Sequence, residues 1–383
     1  MRIKLKSLIS CPNCRKSEFL FFAYELIRKQ QSLFHVSDGF QEDDDDIKYG
    51  VAVCNECKSA FPVEEFIGVF LSDADADKGV HRKMLEQRAS HAPADIQEFI
   101  NQTLARIYTE YETEDGKWNR EEMRYYDAEV DTEKQRIRML DSMKSIPVWR
   151  IFIPRQKWII NRILPDIKGR QVLEIGGGVC RTVYKLFNPD EFQFQYTGTD
   201  ISFKRLMVAK MAMPSSDFIQ ASALNLPFKD NAFDGVLSFG MLHHLPRPEE
   251  ALNHVNTKLA AGGFIGFHEP VIRPEISPFI TGISRKIFRQ YQHSEHDGKI
   301  NLKNSLKVLE NQHHEIISYR EQISIVRAFT ESLLGKFFKK QMNTRTAIQI
   351  LESVDRFFIN TICRLSKKFG PNAVLVVTRK KKQ

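Results

Sequence analysis

The 383-residue chain has no run of about 18 consecutive apolar residues, so nothing in it reads as a bilayer span. The residues before Cys11, from Met1-Arg2-Ile3-Lys4 onward, carry charge but no apolar segment of useful length, so no secretory leader is expected and a cytoplasmic, reducing setting is. Without a leader, a disulfide reading of the six cysteines is disfavoured. A G-x-G-x-x-G dinucleotide fingerprint is also missing, because Arg181 stands three residues after Gly178.

Basic residues exceed acidic ones, giving a net charge of +8, but the excess is local. Residues 273–382 hold 21 Lys/Arg against 9 Asp/Glu, a surplus of +12 that leaves −4 elsewhere. The charge therefore belongs to one end and is not a field around the whole molecule. At this length two or three structural units are expected.

Four of the six cysteines form two identical pairs, Cys11-Pro-Asn-Cys14 and Cys54-Asn-Glu-Cys57, with Cys180 and Cys363 left over. A C-x-x-C turn aims two thiolates at one point, and two such turns complete the tetrahedral set of a structural Zn2+ site. With all four positions filled by sulfur, the metal would have no open coordination site. The 39 residues between the pairs include the acidic run Glu42 to Asp46, expected to form a solvated loop tip. After the second pair come Phe61-Pro62-Val63 and the strand-like Phe66 to Leu71. Residues 5–72 resemble the zinc-ribbon-like family of tRNA-methyltransferase activator subunits, with Ile67-Gly68-Val69 in place of that family's last signature.

Residues 78–147 read as a helical linker. Ile96, Phe99, Ile100, Leu104 and Ile107 recur at helical spacing, as do Ile137, Leu140 and Met143 more weakly, and Gly116 with the polar residues around it is expected to break the run. An aromatic amphipathic helix is expected from Val148 to Leu164.

From residue 171 strands alternate with helices. Gln171 to Glu174 runs into Ile175-Gly176-Gly177-Gly178 and an apolar helix, and a second strand ends in Asp200. Further strands are expected up to Ala223, over Phe233 to Ser238 and over Phe264 to Phe267, then near Ile316 to Tyr319 and over Ala373 to Thr378. This alternation argues an α/β fold with a doubly wound, mostly parallel seven-stranded sheet and ligands at the strand C-termini. Acidic-x-Gly-x-Gly, the strand-end Asp200, Leu226-Pro227-Phe228, Phe233-Asp234, Leu242-His243-His244-Leu245 and Gly262-Gly263 occur in one order. Together they resemble the class I S-adenosylmethionine-dependent methyltransferases, in their small-molecule and quinone-methylating branch.

The resemblance implies S-adenosylmethionine as cofactor. Glu174, Gly176, Gly177 and Gly178 would line its methionine end, Asp200 would hold the ribose, Ile201 would flank the adenine, and Gly240 would sit beneath the sulfonium. Ser222, followed by Ala223, stands where the family has an Asp that accepts from the adenine amino group. Cys180 replaces the family's third glycine, so the loop is expected to avoid positive φ there or to lie further from the ligand. His243, His244, His268 and Glu269 follow strands where acceptors bind and are candidates for a general base. The Asn/Asp-Pro-Pro-aromatic sequence of enzymes that act on exocyclic base amines is absent; Ser238-Phe-Gly-Met241 stands there.

The basic end carries Lys336, Lys339, Lys340, Arg364, Lys367 and Lys368 among apolar positions such as Phe329, Leu333, Phe337, Val354 and Phe357. Such helices suit a lid, or a surface that touches an anionic membrane or a lipid-linked substrate. The chain is thus expected to divide into 1–77, 78–147 and 148–383, with a helical insert within 275–370, and to methylate oxygen or carbon of a small-molecule or lipid-linked acceptor. Two alternatives stand beside this: RNA base methylation, which the acidic run in the ribbon disfavours, and a regulatory pseudoenzyme.

Overall fold

The computed structural model describes residues 1–27, 46–77, 79–109, 113–144, 169–186, 193–271, 300–322 and 373–382, with short pieces between 353 and 364. The helix expected at 148–164 and most of the basic insert, including every insert lysine named above, lie outside the described residues. The acidic run does so too, except for Asp46. That residue is no solvated tip: it is buried, opens a strand and pairs with Lys210 Nζ at 3.2 Å.

The chain divides into two units, one comprising Met1–Ile137, Gly178–Cys180 and Tyr196–Ala232, the other Arg138–Gly177, Arg181–Gln195 and Phe233–Gln383. In the first, β1 (Phe19–Ile27), β2 (Asp46–Cys54), β3 (Ala60–Glu64) and β4 (Ile67–Val69) form an antiparallel meander. Glu65 and Phe66, both left-handed at φ 47° and 67°, make the tight β3–β4 turn. Strand β4 then pairs in parallel with β7 (Asp217–Gln220), Gly68 opposite Ile219, and β7 pairs in parallel with β6 (Gln195–Asp200). Phe61 stacks on Phe70 at 5.2 Å between centroids, and Phe19 meets Phe70 edge-on at 5.7 Å.

Helices α1 (Val80–Ala89) and α2 (Ala94–Thr109) bury Leu85, Ile96, Ile100 and Ile107 in one cluster with Val51, Val53 and Ala60 of the meander. The expected α2 periodicity is therefore the packed face. Helix α3 (Glu114–Ala128) is capped by Thr113, whose Oγ1 accepts the Gly116 N–H at 3.0 Å. The run does break, between Thr109 and Glu114, but Gly116 itself is not the break. It sits in the first turn of α3, where a Cβ would lie 2.3 Å from the Ala74 carbonyl oxygen, so glycine permits a close approach. The unit boundary falls inside α4 (Glu133–Lys144), where Met143 is fully buried but Ile137 is 45% exposed.

The second unit holds β5 (Gln171–Glu174), α5 (Arg181–Leu186), β8 (Phe233–Phe239), α7 (Pro248–Lys258), β9 (Leu259–Pro270), α8 (Leu302–Asn311), β10 (His314–Gln322) and β11 (Ala373–Lys380). Its strand order is β5-β8-β9-β11-β10, parallel from β5 to β9, with β11 antiparallel to both neighbours. Helix α6 (Phe203–Ala212), in the first unit, is capped by Ser202, whose Oγ accepts the Arg205 N–H at 3.2 Å.

All seven strands expected from residue 171 are present, but the seven-stranded, mostly parallel description needs correction. The described strands number eleven, and their pairing is mixed. The reason is the N-terminal segment: its four strands do not stand apart as a separate ribbon but continue from β7.

Candidate functional site

In the first unit, the Sγ atoms of Cys11, Cys14, Cys54 and Cys57 all lie within 4.8 Å of one another. Cys11–Cys57 is 3.5 Å and Cys14–Cys54 is 3.6 Å. Each knuckle closes on a left-handed residue after its second cysteine, Arg15 at φ 65° and Lys58 at φ 56°, which turns the chain so that both thiols face one centre. Such a donor set fits a tetrahedral zinc. Burial pushes the Cys11 thiol far up and that of Cys54 to about 11. Burial also opposes ionisation of Cys57, but contacts with Ser59, Cys11 and Cys14 outweigh it and bring its pKa down. Around this centre Ser59 Oγ receives Asn13 Nδ2 and Arg106 Nη2, each at 2.9 Å, and Asp73 receives the same two side chains. Arg106, from α2, was not legible as a partner of the cysteines.

Asp200 ends β6 and is 7% exposed. Its Oδ2 accepts the Gly178 N–H at 2.7 Å and its Oδ1 the Ser202 N–H at 2.8 Å. Burial raises its pKa against the pull of Arg205 and these N–H groups. The Ile201 N–H also donates to this carboxylate, so of its about four acceptor sites one is left for a further donor. Gly178 is left-handed at φ 57°. Cys180 is left-handed as well, at φ 52°, so the expected avoidance of positive φ does not occur; the thiol is fully buried, 3.0 Å from where a Cβ on Gly198 would lie. Tight packing over Gly198 holds a conformation that sterics disfavour.

Ile201 is half-buried, its carbonyl accepting Gln220 Nε2 at 2.8 Å, and Ala223 is half-buried beyond Ser222. Ser222 Oγ accepts from Asn119 Nδ2 at 3.1 Å and from the Leu224 N–H at 3.2 Å. Both lone pairs of the hydroxyl are thereby used. Nearby, Asp127 accepts from Ser202 Oγ at 2.6 Å and the Lys204 N–H at 3.1 Å, and burial lifts its pKa. Asn119 and Asp127 come from α3 and carry no sequence motif; their only signal was polarity on the inner face of a helix.

In the second unit, Glu174 ends β5 at 1% exposure, in register with Leu237. Gly176 is left-handed at φ 60°, and a Cβ there would fall 1.8 Å from Met241 Cγ; Gly177 is half-buried. Gly240, at φ 74°, donates its N–H to the His268 carbonyl at 2.9 Å, and a Cβ there would meet, among the described residues, only His243 Cε1, at 3.7 Å. Glu269 is fully buried. Its Oε1 accepts the N–H groups of Met241 and Leu242 at 2.9 and 3.0 Å, and its Oε2 lies 2.8 Å from His243 Nδ1. Burial works against ionisation of Glu269, yet the His243 hydrogen bond and the two N–H donors bring its pKa below the usual value. The His243 and His244 rings lie 4.1 Å apart. His268 precedes Glu269 on β9, so strand alternation sends its side chain to the other face. The structure thus brings His243, His244 and Glu269 together.

Residues 173–267 match the methyltransferase domain family. The chain is 28% identical over 142 residues to a probable phthiotriol/phenolphthiotriol dimycocerosates methyltransferase of Mycobacterium ulcerans, covering 35% of this chain and 53% of that protein. It is 32% identical over 104 residues to a fatty-acid O-methyltransferase of Mycolicibacterium smegmatis, covering 26% and 36%. The match therefore spans about half or less of these relatives' length. Among solved structures, it resembles the geranyl diphosphate C-methyltransferase of Streptomyces coelicolor at a TM-score of 0.42 and 8% identity, over 59% of this chain and 75% of that one. A chain of the complex between the Haloferax volcanii Trm112 methyltransferase activator and the putative methyltransferase is similar at a TM-score of 0.42 and 16% identity, over 67% of this chain and 97% of that one. The family match is thus confined to residues 173–267, a methyltransferase domain.

Proposed function

We propose that the chain is an S-adenosylmethionine-dependent methyltransferase that methylates oxygen or carbon on a small-molecule or lipid-linked acceptor. The observation that carries this reading is the His243–Glu269 pair beside Gly240, where an added Cβ would meet, among the described residues, only His243 Cε1. When bound, the cofactor supplies an electrophilic methyl group on a sulfonium. Asp200 would hold the ribose diol, and Glu174 with Gly176 and Gly177 would receive the methionine end. Glu269 accepts from Nδ1 and so fixes the tautomer in which Nε2 of His243 is the basic nitrogen. His243 would then remove the proton of an acceptor hydroxyl or acidic carbon, a task for which Glu269 serves as positioning residue. The relatives' names, which speak of phthiotriol dimycocerosates and of fatty acids, support the acceptor class. The four cysteines would hold one structural zinc, and the surrounding residues 1–77 would act as a built-in counterpart of an activator subunit.

The test is calorimetric titration of S-adenosylmethionine and S-adenosylhomocysteine into the full chain, followed by methyl-transfer assays on fatty acids, quinols and lipid polyols. Binding of both nucleosides with transfer to one acceptor class supports the reading. Absence of binding overturns it, and transfer to RNA alone replaces the acceptor.

A further inference from the structure

Asn119 is 5% exposed and lies on the inner face of α3. Its Nδ2 donates to Asp75 Oδ1 at 2.7 Å and to Ser222 Oγ at 3.1 Å. A carboxylate oxygen accepts, so the amide nitrogen, not its oxygen, faces Asp75, and the side chain cannot be flipped without opposing two acceptors. Asp75 is itself held, receiving Ser72 Oγ on Oδ2 at 2.6 Å. With both N–H groups of Asn119 committed, Oδ1 is an acceptor to which no described residue donates.

Ser222 is the complement. Its two acceptor positions are filled by Asn119 and Leu224, which leaves the hydroxyl hydrogen as a donor. One buried corner of the first unit therefore presents an acceptor on Asn119 beside a donor on Ser222. The Watson–Crick edge of adenine offers the reverse pair, an amino donor at position 6 and an acceptor at N1. Hypoxanthine reverses both, with a carbonyl at position 6 and N1–H.

We infer that Asn119 Oδ1, oriented by Asp75, accepts from the adenine 6-amino group and, with the Ser222 hydroxyl, makes this site specific for adenosyl over inosyl ligands. This rests on the cofactor reading above. The carboxylate that the family places at position 222 is thereby replaced from α3, a segment outside residues 173–267.

The experiment is titration calorimetry of the full chain with S-adenosylhomocysteine and with S-inosylhomocysteine, which differ at the 6-position and N1. The expected preference for the adenosyl ligand is about 10- to 100-fold, the range for leaving buried polar groups mismatched. Asn119→Ala should reduce it to below about threefold, mainly by weakening the adenosyl ligand. Asn119→Ser keeps a donor for Asp75 and carries the same expectation if the alanine variant does not fold, as judged by thermal unfolding. Equal binding of both ligands to the unmodified chain, or a folded variant that keeps its preference, overturns the inference. Binding of neither ligand to the unmodified chain overturns the cofactor reading itself, and this inference with it.

Discussion

His243 Nδ1 lies 2.8 Å from a Glu269 carboxylate whose other oxygen is anchored by two backbone N–H groups. A carboxylate held in this way cannot turn with the imidazole, so the ring is aimed by the main chain of the turn after β8. Replacing His243 by Gln should lower kcat by about 10²- to 10⁴-fold, the usual contribution of a general base, with cofactor affinity changed less than threefold. Single-turnover methyl transfer and calorimetry separate the two. Unchanged transfer would assign the reaction to proximity alone.

The Glu269 pKa lies below its ordinary 4.5, so its stabilising contribution is complete above that value and disappears as pH falls through the depressed one. His314 has the converse chemistry with the same direction of effect. Burial brings its pKa from 6.5 to about 4, with Lys380 adding to the shift. Thr378 Oγ1 sits 2.9 Å from its Nδ1 and Asn256 Oδ1 3.0 Å from its Nε2. Between pH 4 and 6.5 the unfolded state binds the proton that the folded state refuses, so unfolding free energy should rise with pH across that window. The slope contributed is at most about 1.4 kcal/mol per pH unit. Denaturant titrations at several pH values on the wild type and His314→Gln check it, the variant giving the flatter curve.

At Cys180 two effects oppose each other. A left-handed non-glycine residue costs about 1–2 kcal/mol, whereas a small buried side chain that fills space contributes roughly 1 kcal/mol. Cys180→Gly should therefore change stability by no more than about 1 kcal/mol. Cys180→Val adds a branched Cβ at φ 52° over Gly198 and should cost more than about 2 kcal/mol. Chemical denaturation of both variants measures the difference.

Metal analysis of the purified chain should find one zinc, and Cys14→Ser or Cys54→Ser should lower that content and the melting temperature together. Arg106→Ala keeps all four sulfurs but removes the guanidinium from Ser59 and Asp73, so it should accelerate zinc loss to a chelator without abolishing binding.

Much of this arrangement was legible where chemistry is local in sequence. Two C-x-x-C pairs, a strand ending in Glu174 before three glycines, and Asp200 at the next strand end each sit within a few residues of the backbone feature they serve. The α2 spacing of Ile96, Ile100 and Ile107 reported its buried face directly. What stayed hidden depends on side chains from distant segments. Asn119 is one polar residue among many in a charged helix, and only packing against Asp75 and Ser222 gives it a role. The separation of His268 from Glu269 needed the strand to be placed, since neighbours in sequence point to opposite faces. Gly116 illustrates the remaining difficulty: a glycine demanded by a carbonyl 2.3 Å from its missing Cβ looks, in sequence, like one that ends a helix.

Strand β4 is three residues long, yet it covers the side of β7 opposite β6, by Gly68 against Ile219 and Val69 against Gln220. A fragment cut to begin at residue 78 would expose the bare polar edge of β7 to other chains, inviting strand addition and precipitation. Anyone seeking a smaller folded piece of this protein, or wishing to exchange its first seventy residues for those of another, must therefore supply a strand for β7.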